Sequence, residues 1–170
     1  LSLELGAEII KKRLIMLDCM QYVESDSALF SAFFEFVNHL VRESTPFNQS
    51  LGESIPLFFS QLLSGFIGSS KKERVEFITE NVENIVNVLL YLLMLLQVEE
   101  IPIYILRNVI GCLNFSSFPE KINSACIENE DLMSIVLSLD FPFLWEPGNK
   151  PDSSWFMQNI FYLCYCYNDP

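Results

Sequence analysis

The stretch IPIYILRNVIGCLNFSS, at residues 101–117, decides the fold because it is an apolar helix with a loop before it and a polar stop after it. We predict a helix over 103–115, with Gly111 in its middle and Phe115 one turn later. Glycine in a helix interior costs about 1 kcal/mol relative to alanine. Since the chain has only six glycines, we expect a reason for this one, namely the close approach of a neighbour or a partner at Gly111.

Helical periodicity runs through nearly every long segment of the chain, and prolines or clusters of Ser, Asn and Asp separate these segments. These segments do not show the alternation of apolar and polar residues that would indicate strands. The fold class that we predict is therefore all-α. The predicted helices span 4–23, 27–42, 54–68, 73–81, 84–97, 103–115, 120–128, 131–139 and 154–167.

The longest predicted loop covers 141–153 and holds three of the eight prolines. We expect Phe143, Leu144 and Trp145 to pack onto the body of the protein and to hold this loop in place. Because long loops are either structural or functional, a loop that binds a partner is the alternative.

The composition suits one compact domain or a short helical array with a sizeable core, since 51% of the 170 residues are hydrophobic and 14% are aromatic. The net charge of −12 repels phosphate backbones and attracts basic polypeptides, so we expect no direct nucleic-acid ligand. The longest apolar stretch, 85–96, is shorter than the roughly 20 residues that span a bilayer. We therefore expect a buried helix there and no membrane contact.

Cysteine usage bears on localisation, and the two ends of the chain bear on whether it is part of a longer protein. The five cysteines are odd in number and scattered through apolar runs, which favours reduced, buried thiols. This cysteine usage predicts an intracellular protein of the nucleus, the cytoplasm or both, and we see no charged-then-apolar leader that would indicate a signal peptide. The chain begins at Leu1 and ends at Pro170 after an aromatic run, and we expect a fragment of a longer solenoid.

Catalytic and metal-binding patterns are weak. Cys164 and Cys166 resemble half of a metal site, but residues two apart on a helix point to nearly opposite faces, and His39 alone cannot complete four ligands. The sequence has no P-loop, dinucleotide fingerprint or nucleophile elbow. We therefore expect a protein that is not an enzyme and that uses no cofactor and no metal.

The predicted helices recur in groups of three. Three stretches that are each an apolar helix ending in a polar stop superimpose, and they lie at 57–70, 107–117 and 159–169. Gln61, Gly111 and Phe161 hold equivalent positions in them, 50 residues apart. Between them lies a second recurring unit, a strongly apolar helix, at 29–41, 84–96 and 131–139. A third unit, a short amphipathic piece, precedes two of these apolar helices and reads ERVEFITEN and EKINSACIEN. Such units bury their faces only by stacking, so the sequence predicts an α-solenoid of about three and a half repeats.

This recurrence of three helices along the sequence resembles the armadillo repeat. Residues 101–117 are similar in particular to the importin-alpha family, whose corresponding stretch has an I-P-I, an L-R-N-V and then a Trp and an Asn four residues apart. The resemblance runs from Leu5 to Asp169 and is strongest at 101–109. It implies that 1–170 form one armadillo-like repeat domain, a right-handed superhelix of helices.

The resemblance also implies a binding groove. In the importin-alpha family the third helix of each repeat lines a concave surface, where the Trp stacks on a Lys or Arg of a nuclear localisation signal and the Asn binds the signal's main chain. Here no Trp-Asn pair is retained, so the resemblance implies a preserved fold with an eroded signal groove. The groove positions that we expect to contact a protein partner are Gln61, Gly111, Phe115, Phe161 and Tyr165.

Our leading hypothesis is accordingly a non-enzymatic scaffold or adaptor that binds a protein or peptide, with basic partners favoured by the charge. The alternative is a working nuclear-import adaptor whose intact signal-binding pairs lie in repeats outside this chain. A third possibility keeps the helices but not the groove: a different α-solenoid, such as a HEAT array, or a compact helical bundle.

Overall fold

The computed structural model describes residues 34, 35, 37–39, 41, 42, 76, 79–99, 101–138, 140–145, 147, 148 and 150–168. Within them the regular elements are helical and no strand is present, which confirms the predicted all-α class for this part of the chain. The helices are α1 (Val82–Leu96), α2 (Ile103–Cys112), α3 (Glu120–Glu128), α4 (Glu130–Ser138) and α5 (Lys150–Asn168). Two 3-10 turns, Phe115–Ser117 and Pro142–Trp145, precede α3 and α5.

Helices were also predicted before α1. The described residues between 34 and 42 and those between 76 and 80 are helical, in agreement with the predicted helices at 27–42 and 73–81. The predicted helices at 4–23 and 54–68 lie outside the described residues.

Helix α1 supplies much of the core. Ten of its 15 residues are buried, including Tyr91 and an almost unbroken run of leucines. Fully burying each such side chain contributes about 1.5–3 kcal/mol. Helix α1 packs against α2, α3 and α4, and the Asn87 Nδ2 donates to Asn38 Oδ1 at 2.8 Å, which ties α1 to the preceding helical residues. None of the described helices combines the length and hydrophobicity needed to cross a bilayer.

Helix α2 ends at Cys112, three residues earlier than predicted. Leu113 leaves the helical region, with φ −83° and ψ 53°, and Phe115 then opens a 3-10 turn. In a longer helix Phe115 would share the exposed face of Gly111, because residues i and i+4 lie on the same side. The turn instead buries Leu113 and Phe115 completely, and the gain from burying the phenylalanine ring outweighs one more turn of helix.

The junction of α3 and α4 depends on Asn129. Its extended backbone, with φ −84° and ψ 106°, ends α3. Its Oδ1 accepts a hydrogen bond from the Leu132 N–H at 2.8 Å, which is the N-cap interaction that satisfies a free donor at the start of α4. One residue therefore stops one helix and starts the next.

The predicted loop at 141–153 is shorter than expected, since Pro142–Trp145 forms a 3-10 turn and α5 already begins at Lys150. Phe141 and Phe143 pack edge-on against Phe156 of α5, with ring centroids 5.2 and 5.3 Å away. This contact confirms Phe143 as an anchor. The prediction for Trp145 is wrong, because 77% of its surface is exposed.

Helix α5 closes the other side of the described body. It packs against α2, α3 and α4 and against both 3-10 turns. Its buried residues Phe156, Ile160 and Leu163 join the same hydrophobic core as α1. Helices α2, α3 and α4 therefore contact both α1 and α5.

Candidate functional site

The side of α5 that faces away from the core carries an unusual surface. From Ser153 to Asn168 the helix contains no charged residue, although the chain as a whole carries a net charge of −12. Surface helices normally place charged side chains opposite their buried face. The outer side of α5 instead presents hydroxyl, amide and aromatic groups.

These exposed residues form one stripe, which we call the α5 outer face. They follow each other at steps of four and three, so that they lie on the same side of the helix, and they are Ser154, Gln158, Phe161, Tyr165 and Asn168. Phe161 is 59% exposed and Tyr165 68% exposed. Two large aromatic side chains exposed one turn apart on an uncharged helix face are typical of a protein-binding site.

Two of the five predicted groove positions, Phe161 and Tyr165, therefore come together one turn apart on the α5 outer face. Gly111 is exposed on α2, which packs against α5. A Cβ atom built at Gly111 meets nothing within 4 Å among the described residues, so the expected close approach of a neighbour does not occur there. Gln61 lies outside the described residues.

The structure contradicts the prediction for Phe115, the remaining one of the five groove positions. It is fully buried and its ring packs against Phe118 at a centroid distance of 5.3 Å. The prediction assumed that the helix continued through Phe115 and kept it beside Gly111. Because α2 ends first, Phe115 is a core residue and offers no surface to a partner.

A groove runs beside the outer face, between the second half of α5 on one side and α3, with Phe118 before it, on the other. It has a volume of about 530 Å³. From the α3 side it is lined by Phe118, Glu120, Asn123, Ser124 and Ile127. From α5 it is lined by Tyr162, Tyr165 and Cys166, so Tyr165 belongs to both surfaces. We call it the α3–α5 groove.

Tyr162 and Cys166 interact with each other on the α5 wall of the groove. The electrostatic interaction with Cys166 and the hydrogen bond to its side chain raise the pKa of the Tyr162 phenol, and desolvation and the Glu120 carboxylate raise it further. The phenol therefore stays neutral at physiological pH. Tyr162 in this state donates or accepts hydrogen bonds, while Glu120 supplies the negative charge of the groove.

Asn123 is one of the residues that line the groove, and only 6% of its surface is exposed. Its Nδ2 donates to the Phe115 carbonyl oxygen at 2.9 Å, which fixes the orientation of the amide. Its Oδ1 is buried and has no hydrogen-bond partner within the described part of the chain. A buried acceptor without a donor costs about 1–3 kcal/mol, so the position is maintained against a penalty.

Sequence reasoning missed Glu120, Asn123 and Tyr162. The signal for Asn123 was present, because an amide within the apolar face of a short helix is exceptional. Glu120 looks like an ordinary acidic residue in the first turn of a helix, where it complements the helix dipole. Only the packing of α3 against α5 brings these side chains to the same groove.

No family model matches the chain, and comparison with curated proteins and with solved structures finds no match either. The resemblance to armadillo repeats therefore rests on the sequence pattern alone.

Proposed function

We propose that this chain is a non-enzymatic scaffold or adaptor that binds another protein through the α5 outer face. The observation that carries the proposal is the charge-free run from Ser153 to Asn168 with Phe161 and Tyr165 exposed upon it. Large aromatic side chains contribute disproportionately to protein interfaces, because they bury much area with little loss of conformational entropy.

The packing of the helices supports an armadillo-like arrangement as part of this proposal. The sequence repeat makes α1 and α4 equivalent helices of successive units, and likewise α2 and α5. In the structure α1 packs against α4, and α2 packs against α5. Contact between equivalent helices of neighbouring units is what stacked repeats require.

The proposal is tested with the full chain as bait and with two single substitutions, Phe161→Asp and Tyr165→Asp. Proteins that the unchanged chain captures from a cell extract are identified, and one of them is purified and titrated directly. A carboxylate in the middle of an apolar contact is left unpaired on binding, so we expect each variant to weaken the affinity at least about tenfold.

Leu137→Asp is the matched control, because Leu137 is 52% exposed on α4 and lies outside the α5 outer face. It should leave the affinity unchanged. Phe115→Asp is unsuitable as a probe of binding, since a charge at this buried position would unfold the chain. Equal affinities of the unchanged chain and the two α5 variants would reject the α5 outer face as the docking surface.

A further inference from the structure

We propose that the α3–α5 groove receives an arginine side chain of the protein partner. This inference rests on the proposed function, and it adds the chemistry of the contact. Two features of the groove carry it: the two tyrosine rings and the single carboxylate that line it.

The tyrosine rings provide surfaces on which a planar cation stacks. Tyr162 and Tyr165 both line the groove from α5 and are 40% and 68% exposed. A guanidinium stacks on such rings through cation–π attraction and through the match of two flat groups. A lysine ammonium lacks the planar shape and is more strongly hydrated, so arginine is the better occupant.

The charge of the groove is negative and is not compensated from α3. Glu120 lines the groove, whereas the Nζ of its neighbour Lys121 donates to the Thr79 carbonyl oxygen at 3.0 Å. Lys121 is thus engaged with the segment before α1. From Ser153 onward α5 has no positive charge either. None of the described side chains that line the groove is cationic, so an incoming cation meets the Glu120 carboxylate there without a competing positive charge.

The shape of a guanidinium fits the carboxylate of the groove. A guanidinium has five N–H donors in a fixed fork, so it can pair with the Glu120 carboxylate through two parallel hydrogen bonds. An apolar occupant would leave this carboxylate without a donor, and an anion would be repelled by it.

The experiment titrates the full chain with three short acetylated peptides that differ in one central residue among glycines: arginine, lysine or citrulline. Citrulline keeps the shape of arginine without its charge. Binding is followed by the backbone amide signals of Ser124 and Tyr165 in heteronuclear NMR spectra. We expect the arginine peptide to bind at least about fivefold more tightly than the citrulline peptide, with lysine between them.

Two substitutions and their matched controls locate the site. Glu120→Gln and Tyr165→Leu should each weaken binding of the arginine peptide about two- to fivefold. Glu130→Gln, which also changes an exposed first-turn glutamate, and Tyr167→Leu, which changes an exposed tyrosine outside the groove, should leave it unchanged. Added salt should weaken the arginine peptide and not the citrulline peptide.

Equal binding of arginine and citrulline peptides, or no binding of either at millimolar concentrations, would overturn the inference. Equal losses in the groove variants and in their controls would do so as well. These results are separable from the proposed function, because loss of the partner with Phe161→Asp would still identify the α5 outer face as a docking surface.

Discussion

At the scale of single residues, Gly111 shows how a weak helix former is tolerated. It is the last residue but one of α2, it is exposed, and its conformation is not left-handed. Within the described part of the chain, neither steric crowding nor backbone geometry requires glycine here. The residue therefore lowers stability in the described structure without a packing benefit to offset it.

Gly111→Ala should raise the free energy of unfolding by about 0.5–1 kcal/mol, because alanine restricts the unfolded chain and favours the helix. Urea denaturation of the full chain measures the change. The matched control is Gly148→Ala, since Gly148 has a φ of +104°. A side chain at that φ is strained, and we expect a loss of about 1–2 kcal/mol. A destabilising effect of Gly111→Ala would contradict the open surroundings of this residue.

Two titratable side chains, those of Cys126 and Tyr91, are buried in the core. Burial raises the pKa of the Cys126 thiol to about 12 and also raises the pKa of the Tyr91 phenol. Below the ordinary cysteine pKa of 9.0, the thiol is protonated in the folded and in the unfolded chain. Above it the unfolded chain loses the proton first, so folding becomes less favourable as pH rises.

We therefore expect the free energy of unfolding to fall above about pH 9, by up to about 1.4 kcal/mol per pH unit through Cys126, with Tyr91 adding from about pH 10. Denaturant titrations at a series of pH values measure the slope. Cys126→Ala should be less stable throughout but should show a shallower slope just above pH 9. Parallel slopes for the two proteins would show that Cys126 is not the group responsible.

At the scale of elements, the ends of the helices follow two different rules. Helix α3 has the predicted bounds, Glu120–Glu128, because Pro119 and Asn129 mark its ends in the local sequence. Helix α2 ends early because Phe115 packs in the core. Its ring contacts Phe118, and its carbonyl oxygen accepts a hydrogen bond from the Asn123 side chain. Local sequence signals predict the ends of α3, whereas only contacts between residues distant in sequence decide where α2 ends.

The Asn129 cap offers a test at this scale. Asn129→Ala removes the acceptor for the Leu132 N–H and should lower the free energy of unfolding by about 1 kcal/mol. Asn129→Asp keeps an oxygen at the cap and should retain most of the stability. Both values come from urea denaturation of the full chain. Equal losses in the two variants would mean that the hydrogen bond at the cap is not the source of the stabilisation.

At the scale of the whole molecule, the charge is distributed unevenly. The described acidic side chains lie before α1, on α1, α3 and α4, and in the connections that follow α1 and α4, whereas the described side chains of α5 are uncharged. In the function that we propose, the uncharged aromatic face supplies buried area and the groove with its one carboxylate selects the partner by its charge, since electrostatic complementarity contributes mainly to specificity.

The sequence by itself determined the helical class, the buried run of α1, the bounds of α3 and the aromatic residues Phe161 and Tyr165 one turn apart. These features follow from periodicity and from local end signals, which neighbouring residues carry. The tertiary structure alone decided that Phe115 is buried, that Trp145 is exposed and that Glu120, Asn123 and Tyr162 share a groove. Each of these outcomes depends on which side chains, distant in sequence, pack into the core. The local sequence pattern around a residue does not contain that information.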